Sequence, residues 1–164
     1  MSADGVRVRP ARPDDDQALL VLDRVSWTPT AGFPSLNERK RDSFFDEEHL
    51  VDQYIVAEYH GELAGYVLVR PAYPMPEAAH VFGIHGIVVT PELRGHGVGG
   101  ALLRAAEERA RSLGGRKLKL GVFATNPRAV RLYERHGFVV EGRHLAEFLI
   151  DGQYVDDFTM AKPL

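Results

Sequence analysis

The chain has no cysteine, which removes structural disulfides, thiolate metal sites and a cysteine-bound acyl intermediate in one step. Long apolar runs are missing too: nothing approaches the roughly 20 residues that cross a bilayer as a helix. The opening MSADGVRVRPARPDDD lacks the apolar core of a secretory signal, so the cytoplasm is the expected location and no membrane partner is expected. Neither charge sign dominates. Lys plus Arg number 20 against 23 Asp plus Glu, a formal net charge of -3, and no positive field recommends nucleic acid as a partner. There is no HExxH, no nucleophile elbow GxSxG and no phosphate loop ending in GK[ST], and the seven histidines are scattered without ligand spacing. No metal is expected.

What is present is an average globular composition, 164 residues with 45% hydrophobic and 26% charged, which suits one domain over 1–164 with a real core. Residues 6–9 alternate as a short first strand closed by Pro10. Pro13-Asp14-Asp15-Asp16 opens a helix with Leu19, Leu20, Leu22 and Val25 recurring, the acids serving the helix start. A loop over 27–35 follows, and the charged stretch 38–48 reads as a solvated helix. Residues 54–59 and 63–70 pair as a hairpin across His60-Gly61, and 80–89 is a central strand ended by Pro91. A helix carrying Val98, Ala101, Leu102, Ala105, Ala106, Ala110 and Leu113 stops at Gly114-Gly115. Residues 118–123 form a strand, Asn126 caps a short helix ended by Gly137, and 138–140, 145–150 and 154–160 close the chain around the turn Asp151-Gly152.

The most informative segment runs Ile87-Val88-Val89-Thr90-Pro91-Glu92-Leu93-Arg94-Gly95-His96-Gly97-Val98-Gly99-Gly100. Strand, glycine turn and helix start in succession bring free N–H groups and the positive end of a helix dipole together, a cradle for phosphate or pyrophosphate. Gly95, Gly97 and Gly100 satisfy the dinucleotide pattern GxGxxG. That reading wants an acid at the end of the next strand to hold the ribose, whereas Phe123-Ala124-Thr125-Asn126 stands there, and the strand before the turn is the fourth of the chain rather than the first.

Arg94-x-x-Gly97-x-Gly99 after an apolar strand resembles the acetyl-CoA-binding motif of the GCN5-related N-acetyltransferase (GNAT) superfamily. Asn126-Pro127-Arg128-Ala129-Val130-Arg131-Leu132-Tyr133-Glu134-Arg135-His136-Gly137-Phe138 is similar to its second motif, NxxAxxxYxxxGF. Gly152-x-Tyr154-x-Asp156 before Met160 is similar to a frequent ending, so the resemblance covers nearly the whole chain. It implies an α+β fold: a mostly antiparallel sheet of about seven strands with one splayed parallel pair, flanked by about four helices. It implies acetyl-CoA as co-substrate, held by Ile87, Val88 and Val89 along the splay, by Arg94, Gly95, His96, Gly97, Val98, Gly99 and Gly100 at the pyrophosphate, and by Asn126. Tyr133 takes the place of the family tyrosine that faces the thioester sulfur.

Transfer to an amine also needs a base or a water chain, because alkylamines have pKa values near 10.4. Several family members use a Glu four residues upstream of the position matching Ile87; here that position is Gly83. His85 shares the face of 83 and 87 by strand alternation and is the candidate base, with His80 behind it. Acceptor contacts are expected from 27–35 and 71–76, with Trp27, Phe33 and Tyr73 as aromatic candidates. The function implied is N-acetylation of a small-molecule amine through a ternary complex. A non-catalytic acyl-CoA sensor on the same fold and a peptide or protein N-terminal acetyltransferase are the alternatives, and a homodimer stays open.

Overall fold

The computed structural model describes residues 4–164. Seven strands form one sheet in the order β1-β2-β3-β4-β5-β7-β6: β1 Val6–Pro10, β2 Tyr54–Tyr59, β3 Glu62–Pro71, β4 Val81–Val89, β5 Lys117–Phe123, β6 Val139–Ile150 and β7 Gln153–Pro163. Only β4 and β5 run parallel among the described residues. Two hairpins follow from their turn residues. His60-Gly61 and Asp151-Gly152 adopt positive φ at both positions, the backbone that a two-residue turn between right-twisted strands requires and that Asx, His and Gly tolerate best.

Four α-helices connect and cover the strands: α1 Asp16–Ser26, α2 Pro34–Asn37, α3 Val98–Ser112 and α4 Pro127–Arg135. α3 lays Val98, Leu102, Leu103, Ala106 and Ala110 on one sheet face, where they meet Val67, Phe82, Ile84, Leu118, Leu120 and, from α4, Tyr133. On the other face Leu19, Leu20 and Leu22 of α1 pack with Phe44, Tyr54, Val56, Tyr66 and Val88. The sheet thus has a core on both sides, with a smaller aromatic cluster at one end (Phe33, Phe123, Phe148).

The charged stretch 38–48 is not a helix; α2 ends at Asn37. The reason is local. Phe44 is driven almost fully out of water against Tyr54 and Tyr66, and the Asp16 carboxylate accepts from the N–H groups of Phe44 and Phe45 at 3.0 and 2.8 Å. Asp46 does the same for Glu48 and His49. Side-chain carboxylates take the backbone donors that a helix would have used. Asp16 therefore pins a loop as well as opening α1. The expected break in the closing hairpin is likewise replaced by one long strand, β6, whose register shifts between Val140 and Gly142 and between His144 and Phe148.

β4 and β5 pair only from Val81↔Lys117 to Ile84↔Leu120, and beyond that point they separate. The cause lies on the other edge of β4. Leu68 opposes Gly86 and Val69 opposes Ile84, so His85 is an extra residue, a β-bulge, and bulges bend the strand that carries them. The bulge also inverts the alternation: Phe82 and Ile84 face the α3 side, and after it Ile87 and Val89 do, while Val88 faces α1. Gly83 and Ile87 therefore do not share a face, against the expectation from a strict two-residue period.

Candidate active site

The gap between β4 and β5 opens toward the glycine turn. Thr90 N–H donates to Ala64 O of β3, so by alternation the backbone groups of Val88 also face β3 and those of Ile87 and Val89 face the gap. Pro91 then turns the chain through a short 3-10 segment, Pro91–Leu93, into the turn before α3. Gly95 and Gly97 hold φ of 87° and 84°, left-handed backbone that glycine adopts at no steric cost. Gly97 is the N-cap of α3. The N–H groups of Gly97, Val98, Gly99 and Gly100 donate to no acceptor among the described residues. Four convergent donors at the positive end of a 15-residue helix make a built anion cradle.

The other candidates for this cradle are placed as follows. Arg94 donates from Nη2 to Ser26 O at 3.2 Å, tying the turn to the end of α1. His96 is exposed and stands edge-on to Tyr59. Gly99 touches α4: a Cβ there would lie 3.2 Å from Leu132 Cδ2. Asn126 accepts from Ala129 N at 3.2 Å, so its side chain is committed to capping α4.

Tyr133 projects from α4 into the α3-side core and is 6% exposed. Its ring meets Phe138 edge-on at 6.0 Å. The hydroxyl makes no hydrogen bond among the described residues, and burial alone pushes its pKa up to about 12. It stays a protonated donor throughout the neutral range.

His85 lies on β4, at the bulge just past the last residues paired with β5. Its ring folds back over Gly83, where a Cβ would stand 2.7 Å from Nε2; the imidazole thus fills the space that a side chain at 83 would occupy. Desolvation and then the Arg70 charge push its pKa down to about 4, although the residue as a whole is exposed. The imidazole is neutral at pH 7, with the titration well below the ordinary value near 6.5. His80 sits at the far end of β4, where its carbonyl accepts from Arg116 and Lys117 N–H, away from the opening.

Of the aromatic candidates, Phe33 reaches the open end of the sheet, with Phe123 at 5.2 Å and Phe148 at 4.8 Å, both edge-on. Trp27 instead packs on the α1-side core and donates to Asp23 at 2.6 Å. Tyr73 accepts from Lys119 Nζ at 3.0 Å. Phe123 and Phe148 join Phe33 with no signal in the sequence, since apolar residues within strands carry no sign of which end of the sheet they reach. These elements offer undonated N–H groups at a helix start, an extended backbone edge beyond the last β4–β5 pair, a buried hydroxyl on α4 and a neutral imidazole on β4.

A family model described as "Acetyltransferase (GNAT) family" matches residues 18–138. The chain is 30% identical to a spermidine N(1)-acetyltransferase of Escherichia coli strain K12, over 93% of this chain and 83% of that protein. It is 34% identical to a mycothiol acetyltransferase of Acidimicrobium ferrooxidans over 78% of this chain, but spans only 41% of that longer relative. Its fold is similar to that of yncA from Salmonella typhimurium, solved with its cofactor acetyl-CoA, with a TM-score of 0.80 at 20% identity over 98% of this chain and 95% of that one.

Proposed function

We propose that this chain, which belongs to the acetyltransferase (GNAT) family, moves an acetyl group from acetyl-CoA to a primary amine by direct attack on the thioester. The observation that carries the reading is the row of undonated N–H groups at Gly97–Val98–Gly99–Gly100 beside the parting of β4 and β5. The turn takes the pyrophosphate, and the gap-facing backbone of Ile87 and Val89 takes the pantetheine amides as a neighbouring strand would. The co-substrate supplies an activated acyl carbon. The amine nitrogen bonds to that carbon, the C–S bond breaks, one proton leaves the nitrogen, and the sulfur departs with a proton or a strong hydrogen bond. Tyr133 serves the sulfur. His85 accepts from the nitrogen, directly or through an ordered water, as the C–N bond forms and the nitrogen becomes acidic. The acceptor is a small molecule, in keeping with relatives whose names specify spermidine and mycothiol.

The test is release of free CoA thiol from acetyl-CoA with a panel of small amines. Binding is checked separately by melting: a ligand that binds only the native state at about 100 times its Kd adds roughly 2.7 kcal/mol, several degrees for a chain of this size. Acetyl-CoA is expected to give that shift and NAD none. A shift with NAD alone would return the glycine turn to the dinucleotide reading.

His85→Gln keeps the approximate volume and removes the titration. With both substrates saturating, wild-type kcat is expected to carry an acid-side loss with a pKa of about 4 as the neutral imidazole is protonated, beyond any loss that protonation of the acceptor amine imposes on wild type and variant alike. The variant is expected to run slower by about 10²-fold or more and to lack the imidazole's loss. A variant whose rate and pH profile match wild type removes His85 from the reaction.

A further inference from the structure

Asp156 and Asp157 are neighbours on β7 with opposite fates. Asp156 is fully engaged, accepting from Arg143 at 2.6 and 3.0 Å and from Ala146 N at 2.8 Å. Asp157 points to the other face of the sheet and has no hydrogen-bond or ion-pair partner among the described residues, although it is half-buried. Burial raises its pKa, with Glu147 adding to the rise and His144 opposing it. A carboxylate held in this way is costly until a cation meets it.

Its surroundings are open on one side. Asp157 lies opposite Phe123 on β5 and His144 on β6. The adjacent β5 position on its face is Gly121, where a Cβ would stand 3.6 Å from Oδ2. Gly121 is exposed although its strand is internal to the sheet, so β5 is uncovered at this one position beside the carboxylate, with the Phe123 side chain directly across from it. Phe33, Phe123 and Phe148 border the same end. His85 stands on β4 at the first position beyond the last paired residues Ile84↔Leu120.

From this arrangement, and resting on the acetyl-transfer reading above, we infer that Asp157 receives a second cationic centre of the acceptor, while the reacting amine lies over the β4–β5 opening. Paired strands are about 4.8 Å apart and β4 has parted from β5 here, so the carboxylate's strand stands at least roughly 7 Å from the middle of the opening, a span that needs about five methylenes or more at about 1.25 Å per bond. The acceptor class is an amine with a second ammonium or guanidinium group at that distance. Lys119, on the same face, donates to Tyr73 and makes no ion pair with the carboxylate among the described residues.

The experiment is equilibrium binding, by calorimetry, of cadaverine and of n-pentylamine, which have the same chain length and differ by one ammonium. It is run on wild type and Asp157→Asn in the presence of CoA. Wild type is expected to prefer cadaverine by about tenfold or more, and the variant to bind the two alike, since a charge-assisted contact is lost. Asp157→Glu is expected to keep part of the preference. Equal binding by wild type, or a preference that survives Asp157→Asn, overturns the inference. A purely structural carboxylate would instead lower the melting temperature of the variant and leave the preference intact, which overturns it as well. Because binding is read without turnover, failure here is distinct from failure of acetyl transfer, which the thiol-release assay reports.

Discussion

Gly97→Val is expected to abolish the melting shift given by acetyl-CoA while leaving a folded protein. Gly97 stands at φ 84° as the N-cap of α3, and a β-branched residue there is forced out of its allowed backbone at a cost of order 1–3 kcal/mol. The turn can relieve that strain only by swinging its peptide units, and the N–H groups of 97–100 then no longer converge. The branched side chain would also project from an exposed turn into the space an anion must enter. The rest of α3 is held by Val98, Leu102, Leu103, Ala106 and Ala110 in the core, so the fold survives with a modestly lower melting temperature. Differential melting with and without acetyl-CoA reads both quantities at once. A variant that keeps the full shift would place the phosphates elsewhere. Gly99→Val is a less clean probe, because a Cβ at 99 already presses on Leu132 and the variant would mix α3–α4 packing with anion binding.

The elements that were legible in the sequence are those whose signal is local. His60-Gly61 and Asp151-Gly152 dictate two-residue turns by their own backbone preferences, Gly97 dictates a left-handed N-cap, and Asn126 caps α4 through a contact three residues away. What was not legible depends on a partner distant in the chain. The bulge at His85 exists only in the register of β4 against β3. Without it, strand alternation puts 83, 85 and 87 on one face; with it, His85 lies over Gly83 and Ile87 turns to the α3 side.

The same limit explains the site's charges. Asp156 and Asp157 are chemically identical neighbours in the sequence, and only the pairing of β7 with β5 and β6 sends one to Arg143 and leaves the other beside Gly121. The loop 38–48 misleads for a related reason. Its charge density suits a solvated helix, but Asp16, more than 20 residues earlier, takes its backbone donors and Phe44 follows them into the core. His85 itself was visible as a candidate; its depressed pKa was not, because the desolvation and the nearby Arg70 both arise from the fold.

Tyr133→Phe is expected to lower kcat by about 10²–10³-fold, the range seen when one donor to developing charge is removed, with the KM for acetyl-CoA little changed. A hydroxyl with a pKa of about 12 does not surrender its proton outright to a thiolate near 8.5. What it supplies is a hydrogen bond to charge growing on the departing sulfur, in a setting that is poor in water and therefore strengthens it. The phenylalanine ring keeps the edge contact with Phe138, and the lost hydroxyl has no partner among the described residues. Stability is therefore expected to hold or rise slightly, which separates this variant from a packing defect. The raised pKa also fixes the sign of the alkaline behaviour: the protonated hydroxyl persists well above pH 10, so wild-type kcat should show no loss from this group between pH 7 and 10. Steady-state kinetics across that range, on wild type and variant, check both statements. An unchanged kcat in Tyr133→Phe would assign the sulfur to water, and a wild-type loss near pH 8 that vanishes in the variant would show a far more acidic tyrosine than its burial allows.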